Sequence, residues 1–328
     1  MLERRLLLAM ALCAALAGPR PGAASSLAPT SGLRIHDIQG AGHVSPYART
    51  PVADVPGIVT ARRSNGFYLQ DPEPDADPAT SEALFVFTSS VPTVAVGDAV
   101  LVGGTVAEFR PGGAGSSTNL TITEITGPSI RVVSSGNALP APTIIGSGGR
   151  VPPTTIVEDD ATGDTESTGV FDPDSDGLDF YESLEAMRVQ VNDAVVVGPT
   201  HDFGSNRELY VLADSGSGAG VRTPRGGILV RADDFNPERI ILNDLLTDGP
   251  KLPNADVADG FPGALVGFVD YSLGNYSSRS PACRRSRRVG WRGPSCRHRD
   301  PTSSPWAPST SRTSTRTTRP RSWPAWRP

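Results

Sequence analysis

At 328 residues the chain has room for two ordinary domains, and 35 Gly with 31 Pro against 6% aromatic residues argue for turn-rich β-structure and against helix bundles. The formal net charge of −5 hides an asymmetry: 13 of the 30 basic residues, but only Asp300 of the 35 acidic ones, lie from Arg279 onward, leaving 17 basic and 34 acidic side chains before it. A body this acidic excludes tight binding to a polyanion such as DNA by bulk charge, so any such binding falls to a local basic patch.

In chain order, Arg4 and Arg5 precede an apolar run from Leu6 to Ala17, followed by the small residues Gly22, Ala23 and Ala24. Residues 1–24 thus read as a secretory signal peptide, too short for a membrane span, so a secreted chain with no membrane anchor is expected. Cys13 falls in the apolar run, and Cys283 and Cys296 fall near the end, so the acidic body must fold on its core without a disulfide. Residues 25–33 read as a Ser/Ala/Pro linker.

A first β unit is expected over 34–135. Val55 to Ala61 and Phe67 to Gln70 form a hairpin, with Asn65-Gly66 as the turn signal because both residues tolerate positive φ. Glu82 to Thr88, Asp98 to Phe109 and Asn119 to Ile125 follow as strands, and Gly103-Gly104 predicts a bend or bulge midway along the longest. Five short strands with one long and bent are the arrangement of an OB-fold, a barrel whose open face takes oligonucleotides or oligosaccharides.

Residues 136–170 read as an extended connector. A second unit, 171–276, carries strands at Met187 to Gly198, Glu208 to Ala213, Gly227 to Val230, Ile240 to Leu242 and Pro262 to Tyr271. Val96-Gly97-Asp98 and Asp259-Gly260 each precede a similar strand, which suggests an internal duplication. Residues 277–328 hold all four Trp, with Val289 as the sole aliphatic β-branched or Leu-type residue, so a disordered Arg-rich tail is expected. The fold class is therefore mostly β, with one or two OB-like five-stranded barrels and that tail.

Two groups of side chains stand out as candidate sites. Phe67 and Tyr68 point to opposite faces of one strand, so one packs while the other is free to stack on a base, with Arg62 and Arg63 at the hairpin end meeting phosphates; core packing with a solvated turn is the alternative. Asp172, Asp174, Asp176 and Asp179, with Gly177, follow the D-x-D-x-D-G spacing of a calcium loop, although position twelve is Ser183 and Glu182 falls one place early. A solvated acidic turn is the alternative there. His36 and His43 flank Asp37; hydrogen bonds that tie down the segment are favoured over a metal. No catalytic signature is present.

IHDIQGAGHVSP, VPGIVTA, SNGFYLQDPEPDADPATSE, VGDAVLVGGTVAEFRPGG, LDFYESLEAMRV and LVGFVDYSLGNY, spread over Leu33 to Tyr276, together resemble the N-terminal accessory region of large secreted bacterial nucleases. In that family an OB-like region precedes an endonuclease/exonuclease/phosphatase catalytic domain. The resemblance implies that this region binds or positions nucleic acid, DNA or RNA, while a divalent metal such as Mg2+ and all catalytic residues belong to the domain that follows. The chain departs from the family after Asn275-Tyr276, where its Arg/Trp/Pro run has the character of a gene read out of frame. Permitted codons for Asp300 through Trp326, shifted by one nucleotide, yield LTVGTFNVENLDPNDPPAKLAGLA, which resembles the opening strand of that catalytic domain. The alternative from another class is a calcium-stabilised structural or adhesive β-module without nucleic acid. Oligomeric state is left open.

Overall fold

The computed structural model describes residues 30–113, 119–246, 249, 251–272, 274–279 and 287–288. The expected signal peptide, most of the linker and nearly all of the Arg-rich tail lie outside the described residues. The chain divides into two compact units, Met1–Val289 and Gly290–Pro328, and everything described belongs to the first. Strand makes up 41% and helix 8%, so the mostly β expectation holds.

The first barrel opens with β1 (Thr30–Ser31), which lies parallel on the start of β2 (Pro51–Arg63), and with α1 (Ile35–Gln39) between them. Asp37 caps α1 by accepting the Arg34 backbone N–H at 2.8 Å, and Gly40 ends it at φ 70°. Ile35 and Ile38, on one face of the helix, are fully buried. There follow β3 (Gly66–Gln70), β4 (Ala83–Phe87), β5 (Ala99–Phe109) and β6 (Ile122–Ser134). Antiparallel pairing links β2 to β3, β3 to β4, β6 to β5 and β5 back to β2, while β4 and β6 pair in parallel. Closure through one parallel pair between the third and fifth strands is the connectivity of the OB-fold. The register of β5 against β6 slips between Gly103 and Thr105, the predicted bulge. A side chain at Gly104 would meet Ile125 Cγ2 at 2.5 Å, so glycine there permits the close approach that the bent strand needs.

The second barrel repeats this plan. β7 (Thr143–Ile145) lies parallel on β8 (Arg188–Asp202), and α2 (Thr165–Thr168) and α3 (Gly177–Glu182) fall between them. β9 (Arg207–Leu212), β10 (Ile240–Asn243), β11 (Asp259–Ser272) and β12 (Asn275–Arg279) complete the barrel, with β10 and β12 in parallel and β11 closing antiparallel on β8. A short β13 (Arg287–Arg288) pairs with the start of β11. The two fourth strands, β5 and β11, are the ones whose similar approaches signalled duplication. Gly227–Val230 departs from expectation: it forms no strand but lies in the excursion between β9 and β10, held by an isolated bridge from Arg222 to Ile228. The fifth strand runs to Arg279, three residues past the expected boundary at 276.

Two cores result. Phe67, Leu69, Leu84, Val100 and Val102 fill the first barrel. A larger cluster joins the interior of the second barrel to α3 and to Ala61, Tyr68, Ala83 and Phe85 on the outside of the first. All five residues of β3 are buried because both its faces pack, one inside its barrel and one against its neighbour.

Candidate ligand-binding face and acidic cluster

The placement of Phe67 and Tyr68 corrects the stacking expectation. Phe67 is 0% exposed inside the first barrel and Tyr68 1% exposed outside it. The Tyr68 ring lies 5.3 Å from Phe85 and stacks at 5.7 Å on Phe268 of β11, so the outer β3–β4 face is closed by the second barrel and neither ring is open to a base. Arg63 points the same way: its guanidinium sits 5.2 Å over Phe85 and 3.6 Å from Asp270. It serves as an internal counter-charge at the seam. Burial pushes the pKa of Glu124 up to about 7, against the opposing charge of Arg63. Arg62 donates to the Val94 carbonyl at 3.3 Å.

Among the described residues, nothing closes the equivalent face of the second barrel. A groove of ≈ 500 Å³ runs over it. Alternation on β9 turns Leu209 and Val211 inward and Glu208 and Tyr210 into the groove; on β10, Ile240 and Leu242 go inward and Ile241 and Asn243 outward. Asn243 donates to Ser277 Oγ across the β10–β12 pair at 2.7 Å. The rim comes from two loops: Phe203, Ser205 and Asn206 between β8 and β9, and Ser272 and Asn275 where β11 turns into β12. Phe203 is 55% exposed. Arg239 lies 5.0 Å over the Tyr210 ring, and Lys251 donates to the Ser205 carbonyl at 3.1 Å, with Asp244 3.5 Å away. The second and third strands with the 1–2 and 4–5 loops form the ligand face of OB-folds. The period-2 pattern of Glu208 to Ala213 already turns Tyr210 outward; the rim depends on loop geometry that no periodicity encodes.

The four acidic residues of the calcium-like loop do not act together. Oxygen atoms of Asp172, Asp176 and Asp179 lie within 4.8 Å of one another, whereas Asp174 is exposed and outside the set. Half of the expected loop is helix, since Asp176 takes the N-cap position of α3. Burial, then the charge of Asp172, raises Asp176 to a pKa of about 6. His36 and His43 do not converge on Asp37: His36 Nδ1 lies 3.1 Å from Glu82, and His43 Nε2 lies 2.7 Å from Asp179.

Fold and face together define a tandem OB-like barrel chain in which the outer face of the first barrel is covered and that of the second carries a groove. A family model described as a domain of unknown function (DUF8508) matches residues 144–280, from within β7 to one residue past β12, which takes in the second barrel with its lead strand and helix. No curated protein matches the chain.

Proposed function

We propose that this chain is a non-catalytic nucleic-acid-binding region of a secreted metal-dependent nuclease, and that a single strand lies in the open groove of the second barrel. The observation that carries the reading is the coincidence of that groove with the 1–2 loop, the 2–3 strands and the 4–5 loop, the surface by which OB-folds take extended polymers. Phe203 and Tyr210 offer rings for stacking, Asn206 at the rim offers an amide for a base edge, and Arg239, over the Tyr210 ring, and Lys251, beside Asp244, lie near the groove as cations on an otherwise acidic body. The first barrel acts as a support, because its own face is occupied.

Fluorescence anisotropy of the whole chain with labelled single-stranded DNA and RNA tests this. Binding should weaken steeply with salt as phosphate contacts release counterions. Phe203→Ala and Tyr210→Ala should each cost ~5- to 150-fold in affinity, the worth of one stacked base. Binding that is absent at low salt, or unchanged in the double variant, overturns the proposal and leaves the structural β-module in its place.

A further inference from the structure

We propose that Glu158, Asp172, Asp176 and Asp179 form a calcium site, steadied by His43, that clasps the connector and α3 to the first barrel. It goes beyond the groove, shares no residue with it and does not depend on it.

Three observations carry this. The first is spacing. Ligand atoms of Asp172, Asp176 and Asp179 lie within 4.8 Å of one another, and those of His43, Glu158 and Asp179 do likewise, so the two sets share Asp179. Oxygens bound to one calcium at about 2.3–2.6 Å stand at most about 5 Å apart.

The second is a set of buried oxygens with nothing to bind. Asp176 is 1% exposed, yet its Oδ1 meets no hydrogen-bond donor; Asp172 Oδ1 and Glu158 Oε2 are equally buried and equally unpartnered. On two of these residues the other oxygen is held: Asp176 Oδ2 accepts from the Asp159 backbone N–H at 3.3 Å, and Glu158 Oε1 from those of Asp160 and Ala161 at 3.1 and 3.0 Å. On Asp179, Oδ2 accepts from the Asp172 N–H at 2.8 Å and Oδ1 faces His43 Nε2 at 2.7 Å. Backbone and histidine thus orient Glu158, Asp176 and Asp179, and oxygens without donors remain on Glu158, Asp172 and Asp176. A buried carboxylate oxygen without a partner costs several times what a hydrogen bond returns.

The third is charge. Among the described residues no Lys or Arg is ion-paired with any of these four carboxylates. His43 is a single partner for a cluster of four acids, and a hard dication is the species that neutralises such a set. The oxygen-dominated donor set selects calcium over a softer metal. An ion placed here would tie three segments together. His43 follows α1 of the first barrel, Glu158 lies in the connector, and Asp176 and Asp179 stand at the start of α3, whose Phe180, with Leu184 just beyond the helix, enters the shared core.

The test is calorimetric titration of the whole chain with calcium after chelator treatment, alongside melting temperatures in calcium and in EDTA. Expected are saturable binding, with an affinity of about 0.1–1 mM or tighter as in extracellular calcium modules, and a higher melting temperature in calcium. Asp176→Asn should abolish both, His43→Gln should weaken binding by about 10- to 100-fold, and Asp174→Asn should leave both intact. Glu158→Gln, in the connector, repeats the test if Asp176→Asn does not fold. No calcium heat and no change in melting temperature in the unaltered chain overturn the proposal. So does binding that survives both Asp176→Asn and Glu158→Gln, and so does binding of Mn2+ or Zn2+ but not Ca2+, which would make His43 a direct ligand of a transition metal.

Discussion

Tyr68 shows how one side chain can decide what a surface is for. Its ring fills the gap between the outside of β3 and Phe268 of β11, the position where an exposed aromatic would have made the first barrel a binding module. Removing it leaves a cavity between two rigid sheets, so Tyr68→Ala should destabilise the chain by about 3–5 kcal/mol in urea unfolding, while Phe203→Ala, at an exposed rim, should stay within about 0.5 kcal/mol of the parent. Equal losses in the two variants would mean that the barrels do not pack as described. Strand alternation foretells that Phe67 and Tyr68 face opposite ways, and they do. What covers the outward face is set by residues some 200 positions later in the chain, such as Phe268, and no local pattern carries that. The same holds for Arg63, whose partners Asp270 and Phe85 come from different barrels.

At the scale of elements, the β2–β3 hairpin is legible from Asn65-Gly66, but for another reason than tolerance of positive φ. Neither residue takes a positive φ; Arg63 pairs with Gly66 and the loop is Ser64-Asn65. Glycine is required at 66 because a Cβ there would stand 2.4 Å from both Phe85 Cζ and the Val86 carbonyl oxygen. Gly66→Ala should therefore cost about 1–3 kcal/mol as an overpacking defect, and Asn65→Ala much less, since nothing about its conformation demands asparagine. A denaturation series that ranks the two the other way would restore the turn-conformation account. The apolar run of β4 and the alternating strands β8 and β9 are legible in the sequence to within a few residues at each end, although β8 runs four residues further. The acidic stretch at Asp172 to Glu182 has the sequence character of a loop because its charge density masks a short helix, whose N-cap and buried face (Asp179, Phe180, Tyr181) emerge only when the shared core supplies partners. In the same way Glu158 and His43, more than 100 residues apart in the chain, join Asp179 only through the packing of connector on barrel.

For the molecule as a whole, the seam between the barrels governs how stability varies with pH. Glu108, Glu124, Glu182 and Glu185 line it; each has its pKa raised chiefly by burial, Glu124 to about 7. Several of their oxygens are held: Glu185 Oε1 accepts from the Thr123 N–H at 3.0 Å, Glu108 from Ser45, Thr121 and Thr123, and Glu182 from the Tyr276 hydroxyl. Arg63, beside Glu124 and Asp270, is a cation facing this set and offsets only part of the burden. A carboxyl whose folded pKa lies above its unfolded value of 4.5 favours the folded state while protonated. The contribution is full below the unfolded pKa and is lost as pH rises through the folded one. For Glu124 the span from 4.5 to about 7 sets an upper bound of about 3 kcal/mol on the loss, which solvent screening at the carboxyl reduces. Burial opposes the charging of His36 and His43, but their hydrogen bonds to Glu82 and Asp179 and the surrounding acids outweigh it, and the raised pKa values act in the same direction. The unfolding free energy should thus fall between about pH 5 and pH 8. Glu124→Gln, which keeps the shape and removes the ionisation, should flatten that slope by the Glu124 share. Urea titrations at about pH 5, 6.5 and 8 measure it directly. A stability that rises across this range, or a slope unchanged by Glu124→Gln, would show that the seam is wetter than its burial implies and that the two barrels meet through water rather than through side chains.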